Sequence, residues 1–366
     1  MEDVVQAGVE PRQRELTEVT PERRRAHPLR RVVLAGLAAA VLVVVIILGR
    51  HTLGKSLHVI DDANLGWLLV ALAAEAVSLT AFGLSRTLLL HANSHRAAGR
   101  RITFREVMTV TYASNAISLS IPFAGAELAV VYSYREFRRH GADSATTSWS
   151  LAVSALFSTS ALAFVLLIGA AAGGWSAGTA AALGGAVIYL VPGAGVLLAL
   201  RYTRVRALLT NVLSWLAELS RRVFGKPENG ADGLATFLDE VSSTRLPRTR
   251  YAQVFGLAAA NWLFDCATLA CAIRAMGQPI PWNHLLLVYA AGAAVGSTGI
   301  TPGGFALVEL ALTAALTASG LPASHALAAV LAYRLVNFWL VLAAGWICVA
   351  VLARRAPRDP AYRDSG

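Results

Sequence analysis

Six apolar runs, at about 32–49, 65–85, 146–171, 177–200, 251–273 and 324–352, are each near or above the roughly 20 residues a helix needs to cross hydrocarbon. Nothing else in the sequence constrains the fold as tightly. Hydrocarbon offers no water to a free N–H or C=O, and a helix is the one local structure that pairs all of them within its own segment. The runs therefore predict an all-α polytopic membrane protein. Composition agrees, with 56% of residues hydrophobic and only 15% charged. Residues 1–31 mix acids, arginines and prolines and read as a flexible tail. The first run has no small-residue cleavage motif before the next polar stretch, so it reads as a span and not as a signal peptide.

Two further apolar regions, about 104–137 and 284–319, are broken near their centres by SLSIPFAGAE and GSTGITPGGFALVE. Proline removes an amide donor and glycine permits a tight reversal. The chain can thus turn inside the membrane at Pro122, and again at Pro302, Gly303 and Gly304, wherever protein or water satisfies the freed backbone groups. Each second arm then starts a new helix at mid-depth, where the first N–H groups and the positive end of the dipole suit an anion such as a phosphate.

Arginine and lysine positions test this reading, because cytoplasmic loops retain positive charge. Of 32 basic residues, 28 lie in 1–31, 86–106, 135–145, 201–250 and 354–366. Those segments share one side only if each broken region enters and leaves by the same face. The expected topology is therefore six full transmembrane helices plus two re-entrant hairpins. Both termini and 201–250 are then cytoplasmic, with 173–178 and 319–325 external. Span, span, hairpin, span occurs twice, the second set starting from the opposite side. This is an inverted-topology repeat, with halves of about 32–172 and 177–353, and such repeats bind substrate near the midplane. Pro122, Glu127 and Gly141 match Pro302, Glu309 and Gly320, and Glu75 with Arg86 matches Asp265 with Arg274. The spacings differ, so the repeat rests more on topology than on residues.

A charge in hydrocarbon costs about 2.5 to 3.5 kcal/mol on insertion scales, so Glu75, Glu127, Asp265, Glu309 and Arg334 should face a partner or a watery cavity. Glu309 and Arg334 each lie about 15 Å from the outer end of their segments at the helical rise, so they can meet. Such a pair is either a structural clamp or part of a working site, and Glu75 and Asp265 are either protonated packing groups or ligands. Asn115, Asn261 and Asn337 read first as hydrogen bonders between helices. Between the halves, 202–224 carries a helical apolar stripe with arginine-rich ends and reads as a helix on the inner membrane surface.

Catalytic chemistry finds little support. The three cysteines lie in apolar stretches with no CxxC spacing, and His91 and His95 have no third ligand near them. With no nucleotide loop, metal cluster or nucleophile with its base, the reading is a non-enzyme without a cofactor and without a nucleic-acid partner.

The stretch TPGGFALVE at 301–309, followed by Gly320 and by AVLAYRLVNFW at 329–339, resembles the closing signature of the transmembrane region of lysylphosphatidylglycerol synthases and related flippase-like membrane proteins. The resemblance covers about 32–353. Asn115 with IPFAGAE looks like the family's earlier Asn, Pro and Gly-Glu motif, although Ala126 stands where glycine is usual and Val130 or Val131 where an arginine is usual. The resemblance implies a bacterial cytoplasmic-membrane protein that moves a polar-headed phospholipid, anionic or aminoacylated, between leaflets. It does not imply aminoacyl transfer, since a soluble catalytic domain follows the membrane part of full-length synthases and only 354–366 follows here. On this view the hairpin tips and Arg334 attract the headgroup phosphate and Glu127 and Glu309 line the polar path. Asn115, Glu75 and Asp265 complete the set of substrate-binding candidates. The alternatives are an intramembrane enzyme using paired carboxylates on a lipid-linked substrate, and a non-transporting partner of a separate lipid-modifying enzyme.

Overall fold

The computed structural model describes residues 63–91, 101–172 and 247–355. The expected spans at 32–49 and 177–200, the tails, and nearly all of the 201–250 linker lie outside the described residues. Within them the chain is helical and contains no strand. The helices are α1 (Leu65–Leu90), α2 (Phe104–Ser120), α3 (Gly125–Arg139), α4 (Ser144–Ala172), α5 (Arg248–Ala275), α6 (Trp282–Ser297), α7 (Leu307–Ala318), α8 (Ala323–Arg334) and α9 (Val341–Arg355). A π-helical turn, Leu335–Leu340, joins α8 to α9 into one continuous rod.

Among the described residues, four helices are long and apolar enough to cross a membrane: Leu65–Leu90, Ser144–Ala171, Thr249–Ala275 and Ala323–Arg354. They coincide with four of the six apolar runs. Their outward positions are apolar too, as at Leu69, Phe164 and Ile347, which a lipid surrounding tolerates and water does not. Local signals set the helix starts. Asn64 caps α1 by accepting from the Trp67 amide at 3.3 Å, and Thr103 with Glu106 forms a reciprocal capping box at α2. Prolines precede α5, α6 and α8 at residues 247, 281 and 322.

The two broken regions are pairs of packed helices, α2 on α3 and α6 on α7. Residues 121–124 separate the first pair, and a stretch around a short 3-10 turn at Pro302–Gly304 separates the second. Both breaks contain a non-glycine residue in the left-handed region, Phe123 at φ 59° and Ala306 at φ 67°. Such a conformation is costly for an L side chain and persists only where the surroundings impose it.

Helices α1 and α5 form the central antiparallel pair. Asn64 N–H donates to Ala275 O at 2.9 Å at one end. Nearer the middle, Ser78 Oγ donates to Asn261 O at 2.9 Å, and Asn261 Nδ2 returns bonds to Ser78 O and Oγ at 3.1 and 2.8 Å. Around this pair the elements pack crosswise. The α8–α9 rod lies on α2, where Gly345 is so close to Tyr112 O and Ala116 Cβ that a side chain there would collide. Helix α4 lies on α6, where Gly169 faces Leu286 in the same manner. The last span of each set thus packs against the first arm of the other set's broken region.

Candidate functional site

The two breaks meet. The Phe123 amide donates to Gly299 O at 2.7 Å, so the turn after Pro122 is bonded directly to the turn before Pro302. Beside this junction lies a cavity of about 340 Å³. Both breaks line it, through Ser118, Phe123, Glu127, Gly299, Thr301 and Gly303, together with Trp262 and Asp265 of α5, Tyr289 of α6, and Tyr333, Arg334 and Asn337 of the final rod.

Arg334 organises one wall. Its Nε donates to Glu309 Oε1 at 2.8 Å and its Nη2 to Gly303 O at 2.8 Å, while the guanidinium lies 4.4 Å from the Phe338 ring centre. Nη1 donates no hydrogen bond to the described residues. Arg334 is 4% exposed and Glu309 8%, so the pair is largely buried, with Arg334 lining the cavity. Gly303 is required by this arrangement. Its φ of 53° is left-handed, and a Cβ there would strike Phe338 and Leu119. The break thereby turns its carbonyl onto the arginine.

A second part of the lining is an acid cluster where α1 packs on α5. Asp265 accepts from Tyr289 Oη at 2.6 Å, Tyr333 Oη at 3.0 Å and Asn337 Nδ2 at 2.8 Å. Glu75, 4% exposed, is the neighbouring acid of this cluster on α1. Thr268 Oγ1 reaches Glu75 Oε2 at 3.5 Å. Tyr333 and Arg334 are neighbours in sequence, so one turn of α8 holds both parts of the lining.

Among the sequence-derived candidates, Gly303, Glu127, Asp265 and Arg334 line the cavity directly. Glu309, Glu75 and Gly304 stand immediately behind that lining, Glu309 through its ion pair and Glu75 through Asp265. Pro302 opens the 3-10 turn, and Pro122 precedes Phe123 at the junction. Asn115 is half-buried on α2 and lies outside the lining. Glu127 and Glu309 occupy the same position, the third residue of α3 and of α7. Each helix N-terminus therefore already carries an acid of its own, and attraction of an anion falls to Arg334.

Tyr289, Tyr333, Trp262 and the π-helical turn were not singled out from the sequence. A tyrosine inside an apolar helix carries a hydroxyl that needs a buried partner, which is a usable signal for Tyr289 and Tyr333. The π turn has no signal in LVNFWL, though such turns recur at functional sites. The described residues contain no group of three metal-ligating side chains. His91 instead bonds through Nε2 to Ile102 O at 2.8 Å, and His95 lies outside the described residues.

Apolar spans packed around a polar, membrane-buried core define a multi-pass integral membrane protein. Within that class, residues 33–345 match the family model described as "Lysylphosphatidylglycerol synthase TM region", and the chain belongs to that family. It is also similar to a UPF0104 membrane protein of Methanothermobacter thermautotrophicus, 23% identical over 146 residues, or 40% of this chain and 42% of that protein. The match thus spans less than half of the relative's length.

Proposed function

We propose that this protein is a flippase-like transporter that moves a polar-headed phospholipid, anionic or aminoacylated, between the leaflets of a bacterial cytoplasmic membrane. The carrying observation is the cavity beside the Phe123–Gly299 junction, into which a guanidinium with a free donor edge projects within a helical, lipid-facing shell. The headgroup phosphate takes Arg334, as a bidentate acceptor suits a guanidinium. Glu127, Asp265 and the tyrosine hydroxyls line the polar path, with Glu309 and Glu75 setting its charge.

In this reading the α2–α3 and α6–α7 pairs are re-entrant hairpins from opposite leaflets, and six full spans surround them in an inverted repeat. The reciprocal packing of Gly345 on α2 and Gly169 on α6 supports this, as does the left-handed residue in each break. The membrane domain is 32–353, flanked by cytoplasmic tails at 1–31 and 354–366, and it works without a cofactor or catalytic step. An intramembrane enzyme built on the Glu75 and Asp265 carboxyls is the second reading, because those two buried acids are neighbours. A non-transporting partner of a lipid-modifying enzyme is the third.

The test is reconstitution of the purified protein in vesicles containing fluorescent phosphatidylglycerol, with dithionite quenching of the outer leaflet. Accelerated loss of the protected fraction, slowed by Arg334→Gln, is expected. Equal rates with and without protein would overturn transport, and a new lipid species on mass spectrometry would favour the enzyme.

A further inference from the structure

Arg334 is not the sole arginine inside the helices. Arg86 lies four residues before the end of α1, within a helix long enough to span. An arginine so placed can extend its stem toward the helix end and reach the headgroups. This one does the reverse. Its guanidinium carbon lies 4.3 Å from the ring centre of Phe82, one turn back toward the helix start, and its Nη1 makes a long bond of 3.5 Å to Ser114 Oγ on α2. Its Nε is buried and has no hydrogen-bond partner. No carboxylate stands within ion-pair distance among the described residues, in contrast to Arg334 with Glu309 and Arg139 with Glu136.

A second unsatisfied group lies on the same wall. Thr111 is fully buried, and its Oγ1 also has no partner. Its carbonyl accepts from Ser114 Oγ at 2.9 Å, which fixes the serine that receives Arg86. Thr111, Ser114 and Ser118 are spaced by three and four residues, so they share one face of α2. Ser118 lines the cavity, and at the helical rise it lies about 6 Å along α2 from Ser114. The hydroxyl stripe runs from the guanidinium to the cavity.

Arg86 as a whole is half-buried, with its Nε enclosed, and a guanidinium stays protonated under all ordinary conditions, so a charge lifted this far out of water favours a counterion. The described residues supply a hydroxyl, an aromatic face and a free N–H edge, but no anion. We infer that Arg86, with Thr111 and Ser114, forms a second anion site, which takes the phosphate of an anionic phospholipid and stands one helical turn from the cavity. Nε and Thr111 Oγ1 are both enclosed here, so a phosphate seated on the guanidinium reaches them only by displacing the packing above them, and its oxygens would then satisfy donors that have no partner now. This site stands whether or not the protein transports lipid, because it is read by binding.

The experiment uses full-length protein in nanodiscs of phosphatidylcholine, into which phosphatidylglycerol is titrated while thermal stability is followed. Wild type is expected to gain several degrees, and Arg86→Gln to gain markedly less. In pure phosphatidylcholine Arg86→Gln should be at least as stable as wild type, since it removes an uncompensated charge. Thr111→Val keeps the shape without the hydroxyl and should weaken the phosphatidylglycerol response severalfold, which keeps the test open if Arg86→Gln does not fold. Native mass spectrometry should count one fewer retained phosphatidylglycerol in the variants. Inorganic phosphate added to protein in neutral detergent separates the sources. Stabilisation by it that Arg86→Gln abolishes means that the site accepts any phosphate, and a response to phosphatidylglycerol alone means a lipid site. Equal responses of wild type and both variants to both probes would overturn the inference.

Discussion

Arg334 and Glu309, 25 positions apart, meet through an Nε to Oε1 bond of 2.8 Å beside the cavity that both breaks line. Each is the other's only opposite charge within ion-pair distance among the described residues. Removing one partner leaves an uncompensated buried charge at a cost of about 3–5 kcal/mol, whereas removing both can be nearly neutral. Arg334→Ala and Glu309→Ala should therefore each lower the melting temperature, and the double variant should recover much of the loss. Transport that returns with stability identifies a clamp, and a folded but inactive double variant identifies Arg334 as the phosphate ligand. Stability losses that simply add would show that the pair is not coupled.

Ala306, at φ 67°, is exposed in the turn before α7. The left-handed conformation costs a residue with a Cβ about 1–2 kcal/mol, and the extra backbone freedom of glycine returns about 0.5–1 kcal/mol of that. Ala306→Gly should thus stabilise the protein by roughly 0.5–1 kcal/mol. Chemical denaturation in detergent can read this, and a clear loss of stability would show that the turn is not held left-handed.

Gly345 has no room for a side chain against Tyr112 O, while Gly256 has nothing within 4 Å of a notional Cβ. Gly345→Val should push the final rod off α2 and cost about 1–3 kcal/mol by overpacking. Gly256→Ala, in a helix interior, should be neutral or should stabilise by up to about 1 kcal/mol. Similar melting temperatures for the two variants would mean that the rod and α2 do not pack as described.

Asn261 makes two bonds to Ser78 through Nδ2, at 3.1 and 2.8 Å, across the α1–α5 pair. Hydrogen bonds between membrane helices are worth about 0.6 kcal/mol on average. Asn261→Leu should lower stability by roughly 1–2 kcal/mol through that loss and the larger branched side chain. A melting temperature equal to wild type would exclude this contact from the stabilising set.

The proposed orientation has its own test. With Cys266, Cys271 and Cys348 replaced, an impermeant thiol reagent applied to intact cells should label a cysteine at Ser176 and not one at Ser242. The opposite labelling would overturn both the sidedness and the inverted repeat.

Long apolar runs and Pro-Gly breaks were legible because hydrocarbon imposes a local rule. Every backbone group must be bonded, so span length, and the points where a helix stops, are written in consecutive residues. The same rule marked Glu75, Asp265, Glu309 and Arg334 as groups needing partners, and depth counting alone brought Glu309 to Arg334. Which face each helix turns inward was not legible. A helix among lipids is apolar on all sides, so its sequence carries little of the amphipathic period that orients a helix in water. Only the packed structure decided that Tyr289, Tyr333 and Asn337 converge on Asp265, that Phe123 bonds to Gly299 between the two breaks, and that Arg86 folds back onto Phe82. Those contacts join residues up to 176 positions apart, and side-chain fit and close approach at glycines select them where hydrophobicity makes no distinction.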